Sequence, residues 1–223
     1  PYTTLFRSLR EQDRAAGLVQ REERAMLASA LSPEDYLADS MTGKKRKELR
    51  RQQARLSELG ELAFRRENGT EHLDAWINDF LALEASGWKG RAGSAMASAP
   101  QTLALFCKAL SGAAARGRLE RLSLTLDGRP IAMLANFVTP PGVFSYKTAF
   151  DEDFARFSPG VLLQCENLKV LDREDIAWSD SCASADHPMI DRIWRERRAV
   201  GRLSIAIGGK ARRALFQIGR AHV

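Results

Sequence analysis

The sequence has few residues that could bind a metal or form disulfide bonds. Its 223 residues include three cysteines and three histidines, and Cys107, Cys165 and Cys182 are widely spaced. An odd number of scattered cysteines, without a CxxC pair, argues against a disulfide framework and against a zinc site. Free thiols are typical of a reducing compartment, so we expect a cytoplasmic protein that uses no metal.

Long apolar runs are also missing. A membrane-spanning helix needs about 20 predominantly apolar residues in a row, and no stretch of the sequence approaches that length. The contents of 44% hydrophobic and 28% charged residues are those of a globular protein. A chain of this length is expected to form one domain or two small ones, with no membrane span.

Both ends of the chain have the sequence expected of translated sequencing adapters. When back-translated, residues 1–8 (PYTTLFRS) match the end of one common adapter, and residues 217–223 (QIGRAHV) match the start of the opposite one. We therefore predict that both ends are foreign to the protein, as an expression tag would be. Removing their two arginines, Arg7 and Arg220, lowers the net charge from +6 to +4, so the remaining chain is only weakly basic.

Hydrophobic periodicity predicts a mixture of helices and strands. Residues 10–21 are predicted as loop and 22–31 as a strand or short helix. Helical composition predicts a helix at 44–59, and further helices are predicted at 73–85, 100–117, 161–171 and 187–198. Alternating apolar residues predict strands at 61–67, 118–126, 131–139, 143–150, 176–178 and 203–207. Asp127–Gly128, between the second and third of these strands, is a strong hairpin turn.

The turn after strand 143–150 is the most informative feature of the chain. Ser158 is predicted as a helix N-cap, and Pro159 suits the first helical position because it has no N–H to leave unpaired. Gly160 lacks a Cβ, so a ligand could approach the backbone closely. Free N–H groups at a helix start attract phosphate or pyrophosphate. The alternative is an ordinary capped helix without a ligand.

The order of the elements resembles the GNAT acyltransferase fold: two helices, three antiparallel strands, a glycine turn into a helix, then strand, helix and strand. Several segments are similar to the CelD-like branch, which is named for cellulose-biosynthesis proteins and is related to the Fem peptidyltransferases. These segments are 44–51 (KKRKELRR), 83–91 (LEASGWKGR), 127–132 (DGRPIA), 146–147 (YK) and 157–163 (FSPGVLL). The resemblance implies an α+β, three-layer fold with a mixed, mostly antiparallel central sheet flanked by helices.

The adapter matches and the resemblance together predict a domain division. We expect adapter translation at the two ends, an incomplete N-terminal segment, a GNAT-like acyltransferase domain and a short tail. The corresponding ranges are 1–8 and 217–223 for the ends, 9–43, 44–208 and 209–216.

The activity that the resemblance implies is transfer of an acyl group from acetyl-CoA or another acyl-CoA to an amine or hydroxyl. The acceptor would be a small molecule or glycan, in polysaccharide or cell-envelope biosynthesis. The turn that holds the CoA pyrophosphate in the family is matched here by Arg156, Ser158, Gly160, Val161 and Leu162. Arg156 and Gly160 are four positions apart where the family has three, and Val161 replaces a small residue. Fem relatives use an aminoacyl-tRNA donor on the same fold, so a Fem-like transferase is the alternative.

Direct acyl transfer needs a base, a proton donor and groups that bind the oxyanion. In the resembling fold the thioester lies between residues 147–150 and 178–181. Asp180, at the end of a strand, is the predicted base or amine anchor, and its alternative role is to cap the next segment. The Tyr146 phenol is predicted to protonate the leaving thiolate, and its alternative role is packing.

Two further side chains have both a chemical and a structural interpretation. Cys182 is either a nucleophile that forms an acyl-enzyme or a small buried filler, and we favour the filler. His187 is either a proton relay or part of a helix start formed by Asp186, His187 and Pro188, and we favour the helix start.

The acceptor is expected beside the second helix of the resembling fold. Glu84, Trp88 and Lys89 lie where that helix meets a loop, and Lys147 lies on the central strand, so all four are candidate substrate-binding residues. Trp88 could equally belong to the core. The identity of the acceptor and the oligomeric state stay open.

The basic run at 44–55 raises a different class of function, a nucleic-acid-binding module. Its lysines and arginines could contact phosphates, but the run has no aromatic residues and includes Glu48. A solvated helix face is therefore our preferred interpretation, without a nucleic-acid partner.

Overall fold

The computed structural model describes residues 2–12, 14, 16–206 and 209, with side chains from residue 7 onward. Two compact units are present: Ala25–Arg197 forms one, and the described residues of 1–24 and 198–223 form the other. The predicted tail (209–216), apart from Gly209, and the C-terminal adapter segment (217–223) lie outside the described residues. No helix in the described ranges is long and apolar enough to cross a membrane.

Helices and strands alternate along the chain. The helices are α1 Tyr2–Glu11, α2 Pro33–Ser40, α3 Gly43–Ser57, α4 Leu73–Ser86, α5 Trp88–Arg91, α6 Pro100–Ala114 and α7 Pro159–Asn167. The strands are β1 Ala16–Leu27, β2 Leu62–Asn68, β3 Leu119–Leu126, β4 Arg129–Thr139, β5 Gly142–Phe150, β6 Trp178–Asp180 and β7 Glu196–Ile205. Short 3-10 turns lie at Met96–Ser98, Glu152–Phe157, Leu168–Asp172 and Ile190–Arg192.

The strands form a seven-stranded, mostly antiparallel sheet in the order β2-β3-β4-β5-β6-β1-β7. Strands β2 to β5 are consecutive antiparallel neighbours, and β6 is parallel to β5 and antiparallel to β1. The predicted turn at Asp127–Gly128 joins β3 to β4, and both residues have positive φ, 50° and 78°. That conformation matches the twist of the paired strands. The α+β fold class predicted from the sequence is confirmed.

Helices cover both faces of the sheet within the unit 25–197. On one face α4 and α6 pack on β3, β4 and β5, and on the other α7 packs on the same three strands. Neighbouring residues of β4 divide between two cores, with Leu134 in one and Met133 and Ala135 in the other. This alternation is what a strand buried on both faces requires. The three-layer arrangement follows from it.

The prediction of a helix at 187–198 is wrong. Only a 3-10 turn forms, at Ile190–Arg192, and β7 begins at Glu196. The Tyr36 hydroxyl accepts the Arg195 N–H at 2.8 Å and donates to the Glu196 carboxylate at 2.7 Å. These contacts with α2, about 160 positions away in sequence, hold the chain out of a helix.

Two other predicted boundaries are also corrected. Residues 10–21 were expected to be loop, but α1 continues to Glu11 and β1 begins at Ala16. The strand expected at 203–207 is the end of a longer strand, β7, and Ile207 lies outside the described residues.

Candidate active site

A cavity lies where β5 and β6 part. The two strands pair only from Gly142 to Phe144, because β6 ends at Asp180, whereas β5 continues to Phe150. Beside this unpaired half of β5 is a cavity of about 890 Å³, whose wall includes residues 145–148, 158–161 and 181–183. The volume is within the range of small-molecule sites. The structure therefore brings the end of β5, the start of α7 and the segment after β6 to one site.

Tyr146 occupies a β-bulge that turns it toward this cavity. On β4, Asn136 pairs with Ser145 and Ala135 pairs with Lys147, so Tyr146 is the extra residue of β5. Its phenol lines the cavity, and burial, followed by the charges of Glu84 and Cys182, raises its pKa above the ordinary value. A phenol with a raised pKa stays protonated at neutral pH, so Tyr146 can donate a proton there.

Glu84 is a buried carboxylate shared by two lysines. It is 3% exposed. Its Oε1 lies 2.9 Å from Nζ of Lys89 and 3.9 Å from Nζ of Lys147, and its Oε2 accepts the Met96 N–H at 2.7 Å. Burial and then the charge of Lys89 lower the pKa of Lys147, while Glu84 opposes the shift. The cluster holds two lysines at the cavity wall with only one counter-charge.

The short helix α5 is fastened to the end of β5 by Glu152. One carboxylate oxygen accepts the Trp88 N–H at 2.8 Å and the other accepts from Arg91 at 2.6 Å, and these two bonds, with Arg91 the larger cause, lower the Glu152 pKa. Gly90 is required because a Cβ there would lie 1.8 Å from the Ala85 carbonyl oxygen. Trp88 is 56% exposed and lines the cavity, so it does not belong to the core.

Asp180 is not brought to the cavity. Its side chain is fully buried, it is not part of the cavity wall, and its Oδ1 accepts the Cys182 N–H at 2.9 Å. This contact is the capping role that the sequence left as an alternative. Cys182 itself lines the cavity and has a positive φ of 51°.

His187 also lines the cavity, but outside any helix. Its Nδ1 accepts the Ile190 N–H at 3.4 Å, and its carbonyl accepts the Asp191 N–H at 3.0 Å. The residue therefore caps the 3-10 turn that replaces the predicted helix. With Nδ1 acting as an acceptor, a neutral His187 carries its proton on Nε2.

The start of α7 offers little to an anion. Ser158 is the N-cap residue of α7, as predicted, but it has a φ of 55° and its side chain makes no capping hydrogen bond. Its carbonyl instead accepts the N–H groups of Val161 at 2.9 Å and Leu162 at 3.0 Å, and Pro159 has none. In this first turn, only the Gly160 N–H is left without a backbone acceptor among the described residues.

Apolar side chains cover the same position. A Cβ on Gly160 would lie 3.2 Å from Phe150 and 3.3 Å from the Met189 sulfur, so these side chains occupy the space that the glycine leaves. The Arg156 guanidinium lies over the Phe157 ring, 4.7 Å from its centroid. Of the residues expected to hold a pyrophosphate, Ser158, Gly160 and Val161 line the cavity, whereas Arg156 and Leu162 do not, and they do not form a cradle of free N–H groups.

Among the described residues there is no group of three histidine, cysteine or acidic side chains that could hold a metal ion. Lysine, tyrosine, cysteine and histidine side chains line the cavity, together with the unpaired edge of β5.

The sequence profile of one protein family, the acetyltransferase (GNAT) domain, matches residues 43–187. The chain belongs to that family. No curated protein sequence is similar enough to count as a match. The GNAT domain is an acyltransferase domain, and most of the residues that line the cavity at the parting of β5 and β6 lie within the matched range.

Solved structures share the fold of this GNAT domain at low identity. FemX is 10% identical with a TM-score of 0.63, and the match covers 97% of this chain and 70% of FemX. A C-terminal domain assigned to a lysylphosphatidylglycerol synthetase of Agrobacterium fabrum is 16% identical with a TM-score of 0.53, covering 97% of this chain and 69% of that one. A conserved protein of unknown function from Bacteroides thetaiotaomicron is 10% identical with a TM-score of 0.53, covering 92% and 73%. These likenesses show the fold alone.

A buried polar chain behind the cavity of the GNAT domain was missed from the sequence. Asn136 donates to Glu120 at 2.9 Å and to Asn167 at 2.8 Å. Asn167 donates to Gln164 at 3.4 Å, and Gln164 donates to the Thr148 hydroxyl at 3.3 Å. Gln164 and Thr148 line the cavity. The chain fixes these two groups, and no local pattern indicates it because its members come from three strands and a helix.

Proposed function

We propose that this GNAT domain transfers an acyl group from an acyl-CoA thioester to an amine or hydroxyl acceptor. The observation that carries the proposal is the unpaired half of β5, which faces a cavity whose wall also holds Tyr146 and the two lysines paired with Glu84, Lys89 and Lys147. An open strand edge presents backbone N–H groups that can bind a carbonyl oxygen and the oxyanion formed from it.

The reaction is a single displacement. The acceptor nitrogen or oxygen forms a bond to the carbonyl carbon of the donor, and the bond from that carbon to sulfur breaks. The acceptor's proton passes to Lys147, whose lowered pKa makes the neutral amine more available. The leaving thiolate takes the phenolic proton of Tyr146, and exchange with solvent restores both groups.

The acceptor binds on the α5 side of the cavity. Glu84 is saturated by its own contacts, so Lys89, Lys147 and the exposed Trp88 are the groups that meet the acceptor. The exposed face of Trp88 favours an acceptor with a ring that can pack against it, such as a sugar through its C–H groups.

We further propose that the chain belongs to the CelD-like branch of the family and that its acceptor is a glycan. The supporting observation is the position of the quoted segments, because 83–91, 146–147 and 157–163 all meet at one cavity. Glycan amines and hydroxyls in polysaccharide or cell-envelope biosynthesis are therefore the first acceptors to screen. A Fem-like, aminoacyl-tRNA-dependent transfer is the second candidate, favoured by the fold likeness to FemX.

The test is acceptor-dependent release of free thiol from acetyl-CoA, with amino sugars, sugar acids and glycan oligomers as acceptors. We expect ternary-complex kinetics, and we expect Cys182→Ala to remain active. Acyl label trapped on Cys182 in a quenched reaction would replace this mechanism by a covalent one. Acyl transfer only from aminoacyl-tRNA, with none from acyl-CoA, would select the second candidate.

A further inference from the structure

A second depression opens beside the candidate cavity and continues into it. It measures about 750 Å³ and is lined by residues 38–43 and by side chains from 45–46 and 191–197. Met41, Lys45 and Arg192 line both this depression and the active-site cavity. We call its five basic residues the basic groove: Lys45, Arg46, Arg192, Arg195 and Arg197.

The groove carries more positive charge than its own carboxylates balance. Asp39 lies 3.0 Å from Arg195, and Asp191 lies 3.4 Å from Arg197. The other three basic residues of the groove have no carboxylate partner within the described part of the chain. An excess of three cations in a concave surface attracts an anion.

Two local features are unfavourable unless an anion binds. The first turn of α3 contains basic residues and no acid, and cations at a helix start oppose the helix dipole. The Nε of Arg46 is buried and has no hydrogen-bond partner among the described atoms, which native structures avoid. Thr42 and Gly43, which begin α3, line the same groove. A bound phosphate would satisfy the helix start and the guanidinium groups together.

The usual anion position of the fold is poorly equipped in comparison. In the first turn of α7, Gly160 alone among the described residues has an N–H without a backbone acceptor, and a Cβ added there would lie 3.2 Å from Phe150 and 3.3 Å from Met189. The side chains that can neutralise several phosphate charges lie instead in the groove, at the mouth of the same cavity.

We propose that the basic groove, in place of the start of α7, binds the phosphates of the acyl donor. These phosphates belong to the 3′-phosphorylated adenosine diphosphate part of the donor. This proposal rests on the proposed function for the identity of the donor. The continuity of groove and cavity lets one extended donor place its phosphates among the arginines and its acyl group beside β5. Arginine and lysine side chains thereby take the part that backbone N–H groups play elsewhere in the fold.

Binding of adenosine 3′,5′-bisphosphate to the full chain, measured by calorimetry, tests the groove without requiring an acceptor. Each of Lys45→Ala and Arg192→Ala should raise the Kd about tenfold, since charge-assisted hydrogen bonds are lost. Lys47→Ala and Arg50→Ala are the matched controls, because both are exposed on α3 and line neither depression. The controls should leave the Kd unchanged, and thermal melting should show that all four variants fold.

Three outcomes would overturn the proposal. One is an unchanged Kd in the two groove variants together with loss of binding in Val161→Asp. That result would show that the start of α7 binds the phosphates. A second is equal weakening in groove and control variants, which would reduce the effect to overall charge. The third is tight binding of a tRNA acceptor-stem RNA without binding of the bisphosphate, which would assign the groove to a macromolecular donor. If the groove variants weaken bisphosphate binding as expected but no acyl transfer is detected, only the proposed reaction is refuted.

Discussion

Glu84 of α4 and Lys147 of β5 meet across 63 positions of sequence, with 3.9 Å between Oε1 and Nζ. The same oxygen lies closer to Lys89, at 2.9 Å. One buried carboxylate therefore serves two ammonium groups unequally, and Lys147 is the less compensated of the two. Burial, followed by the charge of Lys89, lowers the pKa of Lys147, and Glu84 offsets only part of that shift.

We expect Lys147→Met to maintain or raise thermal stability at pH 7 while abolishing acyl transfer. At a pH below the Lys147 pKa of both the folded and the unfolded protein, the side chain is charged in both states. The free energy of folding then includes the full cost of burying that charge. The folded pKa lies below the ordinary 10.5, so between the two values the unfolded chain binds more protons and stability rises with pH. The advantage of Lys147→Met should therefore disappear as the pH rises through 10.5. Melting curves from pH 7 to above 10.5 measure the difference in Tm between Lys147→Met and the wild type. Lys108→Met, at an exposed position, is the control. A Tm of Lys147→Met below the wild-type value at pH 7 would contradict this prediction.

Glu84→Gln should destabilise the fold at neutral pH. The substitution leaves two partly buried ammonium groups side by side without their counter-charge, and breaking a buried pair usually costs about 3 kcal/mol or more. Denaturant unfolding at pH 7 measures the loss. Glu71→Gln, at an 85% exposed side chain, is the matched control and should change the free energy of unfolding by less than about 0.5 kcal/mol. Equal stability of the two variants would mean that the cluster contributes nothing.

Tyr146→Phe should reduce kcat about a hundredfold, the usual effect of losing a general acid. The Tm should change little, because the ring keeps its packing beside Phe137, at 4.9 Å between centroids. Since the Tyr146 pKa is raised above 10.0, the wild-type rate should show no loss from phenol ionisation below that pH. A Tyr146→Phe enzyme at the wild-type kcat would remove the phenol from the mechanism.

Asp180 gives a test that separates capping from catalysis. Asn keeps an oxygen able to accept the Cys182 N–H, so Asp180→Asn should retain kcat, whereas Asp180→Ala should lower the Tm through an unpaired N–H. A kcat reduced at least tenfold in a stable Asp180→Asn variant would restore the role as base that the sequence suggested.

The adapter interpretation of the ends stays a prediction. Deleting 1–8 and 217–223 should leave the Tm nearly unchanged, because foreign residues have no selected contacts with the rest of the protein. A drop of several degrees in differential scanning calorimetry would show that these segments belong to the fold. A deletion of equal length inside α6 serves as the destabilised reference.

Local patterns were sufficient where a segment's own residues decide its structure. The Asp127–Gly128 turn and the amphipathic helix α4 follow from neighbours within a few positions, and both were predicted. The segment 187–198 was not, because Tyr36 determines its path from far away in sequence. The same limit applies to the site: Tyr146 and Lys147 could be named, but the bulge that turns Tyr146 depends on the pairing with β4, and Glu152 gave no signal at all.

The unpaired half of β5 has one more consequence. Exposed strand edges invite pairing with other chains and are a recurrent cause of aggregation. In this protein the edge is a wall of a cavity, flanked by α7 and by residues 181–183, and its backbone groups beyond Phe144 have no strand opposite them on that side. An extended ligand carrying amide groups would complete the ladder there. The hazard of an open edge and the capacity to hold a substrate thus have one structural origin, the early end of β6 at Asp180.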